Sequence, residues 1–288
     1  MNLLLKSRPI LPGFGISLGI SIFGISVLIF LPFIMMVLSS IGIGWTGFWN
    51  IISDPRVLSA VWLTLRLSIL AALTNLVFGT LLAWVLVRYE FPGRKLLNAF
   101  VDLPFALPTA VTGIALATIY GPNGWIGGLF AEDGWIGSLI GARQIAFTSL
   151  GIWIALVVVS LPFVVRSVQP VLQELQPELE EAAATLGAHR ATVVRRVILP
   201  ELLPAMLTGA GMMFARATGE YGSIIFIAGN IPFETEILPL VITSKLEQFD
   251  VQGAAAVALF MLLISMSILF LINLLQWKYQ KKILGWRS

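Results

Sequence analysis

Apolar residues fall into six long runs, at 13–38, 58–87, 96–120, 146–168, 202–228 and 254–277. Each exceeds the roughly 20 residues that a helix needs to cross a hydrocarbon core of about 30 Å. The runs do not alternate every second residue as barrel strands would. Backbone groups in lipid must be bonded internally, so the runs predict helices. The expected fold class is therefore all-α and polytopic, with six transmembrane helices. Pro32 should bend the first helix or mark its exit.

Polar positions between the runs carry most of the chemistry. The stretch 181–200, EAAATLGAHRATVVRRVILP, is the most polar segment and lies between the fourth and fifth runs. Pro177 suits the first turn of a helix that continues with acids near its positive end, and Gly187 should stop that helix. A second amphipathic piece follows, with Val193, Val194, Val197 and Ile198 able to form one apolar stripe. Pro170 and Pro177 are expected to break the approach to this stretch into short pieces, and Leu199-Pro200 to end it. The prediction is two short helices at an angle.

Composition fits the same picture. Of 288 residues, 58% are hydrophobic and only 11% charged, against about 25% charged in an ordinary soluble domain. There are no cysteines and one histidine, His189, which excludes disulfides and thiol chemistry and leaves little scope for zinc.

The charges orient the helices. With six spans and both termini on one side, 13 of the 18 Lys and Arg residues fall on that side, including Arg88, Arg94, Arg166, Arg190, Arg195 and Arg196. Arg56, Arg143 and Lys245 fall on the other, and Arg66 and Arg216 within spans. Positive residues collect in the cytoplasm, so both termini and 181–200 are expected there. This also accounts for the basic tail, without nucleic acid as a partner. The long first apolar run reads as an uncleaved span rather than a signal peptide. Arg66 could snorkel to the surface.

Two features lie inside spans. Residues 102–113, DLPFALPTAVTG, open the third with Asp102, Pro104 and Pro108. Each proline removes a backbone donor and frees a carbonyl, so the segment is either a pathway wall or hinge, or a packing kink. In the fifth, Arg216 and Glu220 stand four apart, on one helix face. Charges inside membranes face a bundle interior or cavity and pair; this pair is a gate on a pathway or a packing pair. The second outer loop, 231–253, supplies Glu234, Glu236, Glu247 and Asp250, which with Asp133 give that face an acidic cast.

Glu181-Ala182-Ala183, three residues, Gly187, nine residues and Val197-x-Leu199-Pro200 is similar to the EAA loop of ABC-importer permeases, with Val197 in place of Ile. Beyond the loop, LPGFGISLG, RYEFPGRKLL, DLPFALPTAVTG, PFVVRSVQPVLQEL and GEYGSIIFIAGNIP resemble the T-type permeases of sulfate/thiosulfate importers over nearly the whole chain. The resemblance implies a type I ABC importer transmembrane domain at 58–278, with a coupling loop at 171–203. It is preceded by a tail, first helix and outer loop at 1–57 and followed by a basic tail at 279–288. It implies that 181–200 docks on an ATPase. The partners implied are a W-type permease, two ATPase subunits that bind ATP and Mg, and a periplasmic sulfate-binding protein. The setting implied is the bacterial inner membrane. Molybdate and tungstate permeases share much of this pattern. The chain has no G-x4-G-K-[ST] loop to cradle phosphates and no catalytic constellation, so it is expected to be a conduit driven by a partner, with no cofactor of its own. An ion-coupled transporter, which would favour an inverted repeat, and a membrane enzyme fit less well.

Overall fold

The computed structural model describes residues 14–141 and 143–284. Lys6, Arg8 and Arg287, counted in the charge distribution above, lie outside the described residues. Among the described residues five helices are long and apolar enough to cross a membrane, and a bent pair gives a sixth when taken as one span. They are α1 (Phe14–Ile41), α3 (Pro55–Arg88), the pair α4 (Arg94–Ala106) and α5 (Thr109–Tyr120), α6 (Ser149–Glu174), α8 (Arg190–Thr218) and α10 (Val251–Leu284). Between them lie α2 (Gly44–Ile52), α7 (Pro177–Thr185) and α9 (Leu238–Glu247).

The core of the bundle is α3, α6 and α8, which pack along one another. Small residues let their backbones approach closely. Val164 of α6 is wedged between two glycines: a methyl group on Gly79 of α3 would stand 3.1 Å from its side chain, and one on Gly209 of α8 would stand 2.9 Å from its Cα. Asn75 of α3 donates to the Val157 carbonyl of α6 at 2.9 Å. α3 starts where its sequence directs: Asp54 accepts a bond from the Arg56 N–H at 2.8 Å, and Pro55 occupies the first turn.

The sequence expectations need correcting in four places. The helix runs through Pro170 to Glu174. Within a membrane bundle, neighbouring groups can compensate for a proline inside a helix. Pro200 does not end a helix either, because α8 is continuous from Arg190 to Thr218. A π turn at Val194–Ile198 precedes it. The same device occurs in α1, where a π turn at Ser26–Phe30 precedes Pro32. A proline ring clashes with the carbonyl four residues back. Those carbonyls belong to Leu28 and Arg196, each inside a widened turn, which supplies the room. Third, the fifth span stops at Thr218 instead of running to residue 228. Fourth, the outer connections are partly helical. α9 buries Leu238, Pro239, Leu240 and Val241, and α2 carries Trp45 and Trp49 in an edge-to-face pair 5.8 Å apart.

Candidate functional site

At one end of the bundle, Glu178 and Glu180 lie in the first turn of α7. The helix closes on Gly187, whose φ of +84° suits a residue without a Cβ. The Gly187 N–H donates to the Ala184 carbonyl at 2.9 Å and the Ala188 N–H to Ala183 at 3.1 Å, the paired bonds of a Schellman motif. Ala183 and Ala188 then pack against the core together with Val197, while Val193 and Ile198 are buried. Glu181, Ala182 and Leu186 face outward, Leu186 with 89% of its surface exposed. The result is a helix–turn–helix with its inner face fastened and its outer face free. Its second helix is the start of the fifth span, not a separate short piece. Leu199 and Pro200 resume the α-helix of that span after its π turn.

Adjacent glutamates in α7 have different surroundings. Glu180 pairs with Arg88, the last residue of α3, whose guanidinium also lies over the Trp84 ring. Glu181 is exposed. Arg94 caps the same end of α3, donating from Nε to the Leu86 carbonyl at 2.7 Å.

Deeper in the bundle, the third span bends by 113° between Ala106 and Thr109. Pro104 lies in the first turn of its one-turn segment Leu103–Ala106, and Pro108 caps α5. Asp102 lies just before the bend. Arg166 of α6 donates from Nε to Asp102 at 2.7 Å and from Nη1 to the Asn98 side chain at 2.9 Å. Gln169 donates to the same Asn98 oxygen at 3.1 Å. Sequence reasoning missed Arg166, counting it as a topological charge. The available signal was an acid and a base, each inside or bordering an apolar run. Asp102 is therefore engaged with α6 rather than standing free.

Arg216 and Glu220 do pair, though not along one helix face. The helix ends at Thr218, and Glu220 turns back with its carboxylate buried. It accepts bonds from both the N–H and the hydroxyl of Ser223, each at 2.9 Å. The turn so held leads into the short helix Ile224–Ile227 and lies directly on α5. A methyl group on Gly113 would overlap the Ser223 carbonyl, and one on Gly222 would overlap the Thr109 hydroxyl. Thus the interruption after α8 packs closely on the first half of α5 at two glycines, while Asp102 belongs to a separate cluster with Arg166.

At the opposite end, the loop after this turn is fastened to α3. Arg56 donates from Nε to Glu236 at 2.7 Å, and Glu236 has a side chain only 1% exposed. The Leu238 N–H donates to Thr64 at 2.8 Å. Glu236 therefore adds nothing to an acidic outer face. Asp250 is also engaged, by Lys245 at 3.0 Å and the Gly253 N–H at 2.8 Å.

Residues 75–283 match the family model described as binding-protein-dependent transport system inner membrane component. The chain belongs to that family. The permease is 44% identical over 98% of its length to the sulfate transport system permease protein CysT of Salmonella typhimurium, covering 99% of that protein. It is 47% identical to the protein of that name from Synechococcus elongatus, with 88% of each chain covered. Among solved structures, a bacterial ABC transporter involved in import of the acidic polysaccharide alginate matches with a TM-score of 0.75 at 19% identity, covering 91% of the permease and 94% of that chain. An inward-facing MetNI methionine ABC transporter matches with a TM-score of 0.58 at 18% identity, covering 79% and 99%. These structural likenesses establish the fold. The permease is thus an integral inner-membrane component of an ABC importer and not an enzyme.

Proposed function

We propose that this permease carries sulfate into the cytoplasm, with residues 181–200 as the element on which a separate ATPase acts. The observation that carries the coupling role is the asymmetry of the helix–turn–helix. Its inner face is tied to α3 and the core, while Glu181 and Leu186 are presented outward. A surface that is rigid behind and apolar at its tip suits docking in a partner's groove. Its cytoplasmic placement rests on the distribution of basic residues. The sulfate assignment rests on the relatives of 44–47% identity, which bear the name of sulfate transport system permeases. Hydrolysis and the binding of ATP and Mg belong to the ATPase in this scheme. A second membrane chain of the W type completes the passage, and a periplasmic sulfate-binding protein delivers the anion.

The Arg216–Glu220–Ser223 network is assigned to holding the interrupted backbone beside that passage. Glu220 would repel a free anion, so a resting sulfate site at this pair is disfavoured; Arg216 neutralises the carboxylate and fixes the turn.

The test is reconstitution in liposomes with the candidate partners. Sulfate-loaded binding protein should stimulate ATP hydrolysis and uptake. Stimulation by molybdate-loaded protein with none by sulfate-loaded protein would overturn the substrate assignment.

A further inference from the structure

α3 is 34 residues long, about 50 Å at 1.5 Å per residue, and it carries an ion pair at each end. At the end near α7, Arg88 holds Glu180, immediately before the outward-facing Glu181. At the far end, Arg56 holds Glu236. We propose that α3 is a transmission strut, which carries displacement of the α7 element to the loop at 231–238 on the opposite side of the membrane, and that Arg88 and Arg56 are its positioning residues. The proposal rests on the coupling role assigned to 181–200.

Three observations support a strut over simple packing. First, the far end is locked. Glu236 is almost fully buried, so leaving Arg56 would strand a carboxylate without a partner, which is strongly unfavourable. The Ser59 hydroxyl adds a bond to the Phe233 carbonyl at 3.3 Å and Thr64 accepts from the Leu238 N–H. The loop must therefore follow the first turns of α3. Second, the near end is releasable. Arg88 and Glu180 keep 24% and 30% of their side-chain surface exposed, against 1% for Glu236, so separating this pair leaves each charge with some access to water. Third, the middle is braced. Gly79 of α3 lies so close to Val164 of α6 that a methyl group there would stand 3.1 Å from its side chain, so α6 supports α3 against bending while Arg88–Glu180 supplies the link of α3 to α7. The α7 element already joins α6 and α8 through the chain, and Arg88–Glu180 adds the third helix to that connection. With its far end tied tightly and its near end joined by a pair that can re-form, α3 can take part in a rigid shift between two packed arrangements.

The experiment uses the assembled complex, co-expressed with its ATPase and partner membrane chain in liposomes. The chain has no cysteine, so Phe233→Cys, at an exposed loop position, gives a single reporter for a membrane-impermeant maleimide. With the native Arg88–Glu180 pair, ATP with vanadate should change the labelling rate, by an amount on the order of tenfold for a coupling of this kind. Arg88→Glu should abolish that change, and the exchanged pair Arg88→Glu with Glu180→Arg should restore it. Co-purification of the ATPase with each variant is measured alongside, so that loss of the response in an assembled complex is separated from loss of assembly. A reporter insensitive to nucleotide in the native complex, an unchanged response in Arg88→Glu, or no recovery in the exchanged pair would overturn the strut. If the reporter responds as expected while sulfate is not taken up, the strut stands and the sulfate assignment falls.

Discussion

Gly209 of α8 lies so close to Val164 of α6 that a methyl group on it would stand 2.9 Å from the Val164 Cα. The obstacle is backbone, which cannot rotate away as a flexible side chain can. Gly209→Ala should therefore push α6 and α8 apart and destabilise the permease by about 1–3 kcal/mol, the usual cost of overpacking. Gly211→Ala is the contrast, because its nearest obstacle is an Ile272 side-chain methyl at 3.4 Å. Thermal unfolding in detergent should separate the two; equal midpoints would show that α6 and α8 have slack.

Gly187 tests the lever. Its φ of +84° costs a residue with a Cβ roughly 1–2 kcal/mol, and nothing lies within 4 Å of the added methyl. Gly187→Leu should thus weaken the turn without a steric clash, so the bundle stays folded while the α7 element loses its set angle. Co-purification of the ATPase should fall, or hydrolysis should continue with less uptake per ATP. Undiminished transport would remove the coupling role from this turn.

Removing the Arg216 guanidinium should hurt more than neutralising its partner. Arg216→Ala leaves the Glu220 carboxylate buried with only Ser223 to satisfy it, which for a buried pair costs about 3–5 kcal/mol, less here because Arg216 is partly exposed. Glu220→Gln keeps an acceptor for Ser223 and should be milder. The double variant Arg216→Ala with Glu220→Gln should recover stability relative to Arg216→Ala. Should all three unfold alike, the pair contributes only shape.

The turn before α10 should respond to acid. The Gly253 N–H, and then Lys245, hold the Asp250 carboxyl below its ordinary range. The group's contribution is therefore complete above the unfolded carboxylate pKa and is lost as pH falls through the lowered folded value. Phe249, in the left-handed region at φ +61°, sits in that turn. Hydrogen exchange at 249–253 should accelerate on acidification, and Asp250→Asn should show fast exchange already at neutral pH. An exchange profile that is flat with pH apart from intrinsic chemistry would contradict this.

The spans, the broken third helix and the turn at Gly187 were legible because each leaves a local mark: an apolar run, paired prolines, a glycine between amphipathic pieces. What escaped was non-local or out of period. Asp102 and Arg166 are 64 positions apart, and Arg56 and Glu236 are 180 apart, so spacing could not join them. Val194 was expected on the same stripe as Val193 and Ile198, yet it is 41% exposed while those two are buried. The π turn at Val194–Ile198 adds a residue to the turn, which shifts the faces on either side of it by about 100°. A reading at 3.6 residues per turn fails across such a point. α9 escaped because an apolar stretch of 10 residues is too short to signal a span.

At the meeting of α5 with the turn after α8, Gly113 faces the main chain of Ser223 and Gly222 faces the side chain of Thr109. A joint of that kind is made by missing atoms, because a Cβ at either glycine would occupy space its neighbour already fills. Residues beside the two glycines can then change while the turn keeps its seat on α5, so long as neither glycine gains a side chain.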